Sequence, residues 1–207
     1  MFPVNKEKEQ LFIGRHNLKK EYHERLFNFE LPSPIVNIAS GFEGVGRRKF
    51  LLSALKDANN IKDYYKPLYM LLHSRSSIED FILGLFDLGL TDSISREGLI
   101  DFLKIPLEEK IELAKILLLD IFESENKIFI IDNYAIVNSD GTIVDWFVSL
   151  IRELRCIPST FLFLISLSKV RFNEIKNNDY IYALSIPELD KPERNNLFQA
   201  LLGIEKQ

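Results

Sequence analysis

The stretch Gly41-Phe42-Glu43-Gly44-Val45-Gly46-Arg47-Arg48 decides how this chain is interpreted. An apolar run over residues 35–39 precedes it and predicts a short buried strand. Residues 47–57 follow it and have the pattern of a helix. Strand, glycine-rich turn and helix in that order are typical of a loop that wraps phosphate, and Gly41 and Gly46 stand at the G-x-x-x-x-G spacing of such loops.

The two positions after Gly46 depart from that motif, because Arg47 and Arg48 stand where Lys and Ser or Thr are expected. Arg47 can keep a positive charge near a phosphate, although a planar guanidinium suits a surface fork better than a tight loop. Arg48 offers no oxygen to magnesium, and a solvent-facing helix arginine is the alternative. Backbone N–H groups and the helix N-terminus would still favour an anion, so binding is less affected than hydrolysis.

Apolar runs alternate with helical patterns along the rest of the chain. Further strands are predicted at 67–73, 127–133, 159–166 and 180–184, and helices at 17–29, after Ser76, and at 107–123, 142–155 and 191–203, while 91–106 is the least regular stretch. Near-continuous apolar strands separated by helices indicate a parallel sheet that is covered on both faces. We therefore predict an α/β three-layer sandwich with a mainly parallel, five-stranded sheet.

Asp132 ends the third predicted strand, at the sheet edge where the glycine loop also lies and where such folds bind ligands. An acid at this place in a phosphate-loop protein holds the magnesium ion of the nucleotide. Asn133 follows it, and because an amide cannot act as a general base, efficient hydrolysis is not expected. The alternative is an ordinary strand-end aspartate in a turn.

A second motif, Phe12-Ile13-Gly14-Arg15, precedes the first predicted helix. Gly14 permits a close backbone approach, and Arg15 offers a forked donor. With this motif added, the order of elements resembles the STAND class of P-loop NTPases, which is related to AAA+ proteins and includes the NB-ARC and NACHT modules. The resemblance covers about residues 11–203, and both nucleotide motifs are degenerate.

The resemblance implies a nucleotide site for ADP or ATP. Phe12, Ile13 and Arg15 would pack near adenine and ribose, residues 44–49 would hold phosphates, and Pro187 with Leu189 would cover the base. A sensor would follow the fourth strand, with Ser168, Lys169 and Arg171 as equal candidates. The full expected set is Phe12, Ile13, Gly14, Arg15, Gly41, Gly44, Val45, Gly46, Arg47, Arg48, Lys49, Pro187 and Leu189, with Asp132 facing magnesium. Because Arg48 supplies no oxygen ligand, magnesium is a doubtful cofactor, and the departures at Arg47, Arg48 and Asn133 argue against ATP turnover.

The resemblance also implies an organisation and a role. Residues 1–30 would form a helical segment with the Gly-Arg motif, 31–186 the core, and 187–207 the start of a helical lid. We expect a regulatory switch or oligomerisation platform within a larger signalling or immune-defence protein, with little or no hydrolysis. The alternatives are a nucleotide-free scaffold for protein–protein interaction, and an active ATPase in which Arg47 or Lys49 replaces the lysine.

The composition of this 207-residue chain argues against several classes of binding partner. A net charge of −4 argues against general nucleic-acid binding, and one cysteine excludes an internal disulfide. No apolar stretch is long enough to span a bilayer, so no membrane partner is expected and the expected location is cytoplasmic. Adenine nucleotide, self-association or a partner protein remain as the expected interactions.

Overall fold

The computed structural model describes residues 15–27, 36–59, 67–88, 96–123, 128–154, 163–168 and 180–201. The helices are α1 (His16–Phe27), α2 (Arg47–Asn59), α3 (Ile78–Asp87), α4 (Arg96–Lys104), α5 (Leu107–Glu123), α6 (Asp145–Leu154) and α7 (Lys191–Leu201). The strands are β1 (Val36–Ser40), β2 (Leu68–Leu72), β3 (Ile128–Asp132), β4 (Phe163–Leu167) and β5 (Ile181–Ser185). None of the described helices is long and apolar enough to cross a membrane.

The strands form one sheet in the order β2-β3-β4-β1-β5, and every pairing is parallel. In the register, Ile38 of β1 lies beside Ile165 of β4 on one side and Ala183 of β5 on the other. The mixed α/β fold with parallel strands that the apolar runs predicted is confirmed. Since all the strands run in one direction, their carboxyl ends meet at a single edge, and this edge carries the site described below.

Two apolar clusters lie on opposite faces of the sheet, because successive strand side chains alternate between the faces. The larger cluster packs β-strand residues such as Ile130 against α3, α4, α5 and α6. The smaller one packs residues such as Phe129 against α1 and α2. We call these sides the large face and the small face. The glycine loop leads from β1 into α2, so the site is built by the helices of the small face.

Two segments differ from the sequence expectation. Helix α6 begins at Asp145, not at 142, because Val137 and Ile143 form a bridge across a tight turn in which Gly141 has φ +91°. The stretch 91–106, expected to be irregular, contains α4. A nine-residue helix spans fewer than three turns, which is too short for a clear period in the sequence.

Candidate functional site

The glycine loop, residues 41–46, joins β1 to α2, in the order that the sequence predicted. Gly44 and Gly46 have φ values of +79° and +87°, in the left-handed region that side chains disfavour. At Gly41 the reason is space, because a Cβ atom would lie 2.7 Å from the carbonyl oxygen of Ile186. Helix α2 starts directly after the loop, and the N–H groups of its first turn have no partners within the helix. Such a backbone can receive an anion.

Arg47 folds back into this loop. Its Nη1 donates to the carbonyl of Gly41 at 2.9 Å and also to the carbonyl of Leu167 at the end of β4. Partial burial lowers the pKa of Arg47, while Glu43 and Tyr134 oppose that shift. The expectation that a guanidinium suits a surface fork is therefore wrong here, because backbone carbonyls of two elements supply the acceptors.

A second contact ties the same strand ends together. The buried Ser40 donates its Oγ hydrogen to the carbonyl of Ser168 at 2.9 Å. Ser168, one of the three sensor candidates, therefore meets the loop through its backbone, and its side chain is exposed. The other two candidates, Lys169 and Arg171, lie outside the described residues. The end of β4 is thus held to the start of the glycine loop by Ser40 and by Arg47.

Arg15 joins three separate parts of the chain. Its Nη2 donates to the carbonyl of Val45 at 2.7 Å, and its Nη1 donates to the carbonyl of Pro187. Burial lowers the pKa of Arg15, and the charge of Glu193 in α7 opposes that shift. The segment that follows β5, residues 186–190, therefore lies beside the glycine loop, with Leu189 half-buried in it.

The structure thus brings several expected nucleotide-site residues together at one edge: Arg15, Gly41, Gly44, Val45, Gly46, Arg47 and Pro187. Phe12, Ile13 and Gly14 lie outside the described residues. Arg48 points elsewhere, since its guanidinium carbon is 4.3 Å from the ring centroid of Tyr69 on the edge strand β2. Lys49 is exposed on the first turn of α2.

Asp132 is buried, and its carboxylate serves the loop that follows β3. One oxygen accepts the N–H groups of Ala135 at 2.8 Å and Ile136 at 3.0 Å, and the other accepts that of Val137 at 2.9 Å. Burial raises the pKa of Asp132, and these three bonds oppose the rise. These three bonds are the ones expected of an ordinary strand-end aspartate in a turn. Magnesium binding by Asp132 stays a prediction.

No group of three or more His, Cys, Asp or Glu side chains within the described part of the chain is arranged to hold a metal ion. The sequence reasoning missed Ser40, which directly precedes Gly41, and that adjacency was an available signal. It also missed Tyr134, which has φ +63° in the loop after Asp132. No sequence signal marks Tyr134, because tyrosine rarely adopts that conformation.

Comparison with solved structures places this geometry in a known fold. The chain is similar to a Signal Transduction ATPase with Numerous Domains (STAND) protein with a tetratricopeptide repeat sensor from Pyrococcus horikoshii. The TM-score is 0.55 at 15% identity, over 95% of this chain and 26% of that protein. The ORC2 protein of Aeropyrum pernix in its ADP form gives a TM-score of 0.50 at 13% identity, over 91% of this chain and 51% of that one.

These likenesses show that the chain has a P-loop NTPase-like fold. The chain spans about a quarter of the length of the first protein and about half of the second. No protein-family model and no curated protein matches the sequence.

Proposed function

We propose that this chain is a nucleotide-binding module of STAND type that binds ADP or ATP at the glycine loop and hydrolyses it poorly or not at all. In this proposal it acts as a regulatory switch or oligomerisation platform within a larger signalling or defence protein. Its core spans residues 31–186, with a helical segment before it and the start of a helical lid after it. The observation that carries the proposal is the backbone of the glycine loop, with Gly44 and Gly46 at positive φ.

Charge at the start of α2 supports an anionic ligand. The helix begins Arg47-Arg48-Lys49, and its first turn contains no acid. Cations at the positive end of a helix are unfavourable, and a bound phosphate there would offset the helix dipole and the charges of Arg47 and Lys49. The similar proteins are an ATPase and a protein solved in an ADP form, which is consistent with a nucleotide as that anion.

Poor hydrolysis is supported by two replacements at the catalytic positions and by the hydrogen bonds of the acid that is kept. Asn133 cannot act as a base, Arg48 lies over Tyr69 instead of providing a hydroxyl, and both carboxylate oxygens of Asp132 accept backbone hydrogen bonds. Losing preorganised charge stabilisation at a reacting phosphate costs roughly 10²–10³ in rate for one donor. Nucleotide state would then act through binding, as a shift between two conformations of different affinity.

The test is thermal unfolding of nucleotide-stripped protein with ADP or ATP, each with and without magnesium. A saturable rise of several degrees is expected, since a ligand that binds only the folded state stabilises it. Gly46→Glu should abolish the rise. Gly46→Ala is the matched control, because it strains the same positive φ without placing a carboxylate in the loop. No rise at millimolar nucleotide in the wild-type protein would refute the proposal.

A nucleotide-free scaffold is the second candidate, and one observation favours it. On the small face, Tyr69 and Leu71 of the edge strand β2 are 38% and 57% exposed. An apolar edge of this kind is a feature of interaction surfaces. The scaffold predicts concentration-dependent association without any nucleotide effect. Turnover by the third alternative, an active ATPase, would appear as magnesium-dependent phosphate release that Asp132→Ala removes.

A further inference from the structure

The side chain of Arg47 is bonded to the first residue of the glycine loop, beside the backbone that the proposed function assigns to a phosphate. Its hydrogen bonds to two backbone carbonyls use the same nitrogen, Nη1, and Nη1 carries two hydrogens. One acceptor is the carbonyl of Gly41, at the first position of the loop, and the other is the carbonyl of Leu167, at the end of the neighbouring strand β4. The guanidinium therefore bridges the loop and the strand beside it.

This bridge competes with an anion. A phosphate held by the loop backbone and the start of α2 would attract the same guanidinium, because charged hydrogen bonds to phosphate are stronger than bonds to neutral carbonyls. The planar fork cannot keep both Nη1 hydrogens on Gly41 and Leu167 while turning that edge toward a phosphate. A lysine ammonium also has several donors, but it lies on a shorter side chain and lacks the planar fork, so we expect it not to span both carbonyls.

We propose that Arg47 is a latch that closes the empty glycine loop by bridging Gly41 and Leu167, and that a nucleotide phosphate must open it in order to bind. The inference rests on the proposed function and adds a regulatory device to the same site. When the latch opens, the side-chain bond from Arg47 to the end of β4 is lost, while the bond from Ser40 to Ser168 does not involve Arg47. Ligand occupancy is thereby communicated to the end of β4.

The latch has a kinetic signature. If only the open form admits nucleotide, the apparent dissociation constant is the intrinsic one divided by the open fraction, so a protein that is open one-tenth of the time binds about tenfold more weakly. Because a side chain changes rotamer far faster than nucleotide binds, the apparent association rate constant is the intrinsic one multiplied by the open fraction. A protein without the latch shows an observed rate that rises more steeply with nucleotide concentration.

The experiment is stopped-flow binding of a fluorescent ADP analogue, with EDTA present, to the wild-type chain and to Arg47→Lys. The lysine variant keeps the positive charge and loses the fork, so we expect faster association and tighter binding, each by about tenfold if the wild-type latch is open one-tenth of the time. Arg152→Lys is the matched control, since Arg152 is exposed on α6 of the large face and the substitution should change nothing. Arg47→Gln, which removes charge and fork together, should also associate faster than wild type, and it should dissociate faster because the charge is lost.

The outcomes separate the latch from the proposed function. Association by Arg47→Lys that is no faster than wild type, with both proteins binding the analogue, overturns the latch and leaves the nucleotide site standing. Binding by Arg47→Lys alone supports a latch that is almost always closed. If no variant binds the analogue while all keep the wild-type unfolding temperature, the proposed function itself has failed.

Discussion

The helices on the two faces of the sheet contact its strands through different interactions. On the large face, α3 to α6 cover the strands with apolar side chains, among them Phe81 and Phe147, whose ring centroids are 6.3 Å apart. On the small face, α1 reaches the interior strand β1 through a buried hydrogen bond from the Tyr22 hydroxyl to Asn37 Oδ1 at 3.0 Å. The Nδ2 atom of Asn37 has no partner among the described residues.

This difference means that the large face contributes most to folding stability, while the small face carries the candidate site. Apolar packing contributes most of the free energy of folding and is not directional, so the large face stabilises the sheet without constraining the loop. The small face carries α2 and the glycine loop, and the contacts that fix the loop are bonds from Arg15 and Arg47 to carbonyls. Such bonds are individually modest, and they can be exchanged for bonds to a ligand.

The largest expected effect comes from the large face. Phe147→Ala removes a fully buried ring and should lower the free energy of unfolding by about 3–5 kcal/mol. Denaturant unfolding measures the loss, and ADP affinity at a temperature where the variant is folded should stay within about twofold of wild type. A large loss of ADP affinity in the folded variant would show that the two faces are not independent.

Asp132→Asn tests whether the strand-end carboxylate stabilises the loop after β3. The asparagine amide keeps one oxygen that can accept the N–H groups of Ala135 and Ile136. Its NH₂ group cannot accept the N–H of Val137, which therefore loses its acceptor. The free energy of unfolding should fall by about 1–3 kcal/mol without any ligand present. Unchanged stability, combined with a lost magnesium effect on nucleotide binding, would assign Asp132 to the metal instead.

Glu79 and Lys110 form an ion pair at 2.5 Å that links α3 to α5 on the large face. The hydrogen bond from Lys110, with a smaller one from Ser77, lowers the pKa of Glu79 to about 2 from an ordinary value of 4.5. Because the folded pKa is the lower one, the stabilisation is present above pH 4.5 and is lost as the pH falls from 4.5 towards 2.

Glu79→Gln should therefore lower the free energy of unfolding by about 1–2 kcal/mol at pH 7. The gap between variant and wild type should narrow as the pH drops below 4.5, and denaturant titrations at several pH values measure it. Asp101→Asn is the control, because its ion pair with Lys104 lies on exposed side chains. A gap that is constant from pH 7 to pH 3 would exclude the carboxylate as its source.

Tyr22→Phe gives the smallest expected effect and tests the polar anchor of the small face. The variant keeps the ring that packs on Phe50 and Tyr182 but leaves Asn37 Oδ1 without the hydroxyl. A loss of about 0.5–1.5 kcal/mol is expected. Tyr69→Phe on the exposed edge should not change the free energy of unfolding measurably. Equal losses in the two variants would show that the bond from Tyr22 to Asn37 does not stabilise the small face.

The parallel α/β fold could be predicted from the sequence because its signals are local. Apolar runs mark the strands, and the spacing of Gly41 and Gly46 marks the loop between β1 and α2. The hydrogen-bond partners of Arg15 and Arg47 could not be predicted, because they are remote in the chain. Arg15 meets Pro187 across 172 positions and Arg47 meets Leu167 across 120. The sequence also left the role of Asp132 open, because an aspartate at a strand end can either accept backbone hydrogen bonds in a turn or bind a metal ion.

The close approach at Gly41 has a mechanical consequence. The carbonyl of Ile186 lies where a side chain at position 41 would be, and the N–H of Ile186 donates to the carbonyl of Ser40 at 2.7 Å. Backbone therefore touches backbone, with no rotamer between them to absorb a displacement. Helix α7 begins only five positions beyond Ile186, at Lys191. We expect a shift of the loop to displace the backbone of Ile186, and with it the start of α7, without any side-chain rearrangement between them.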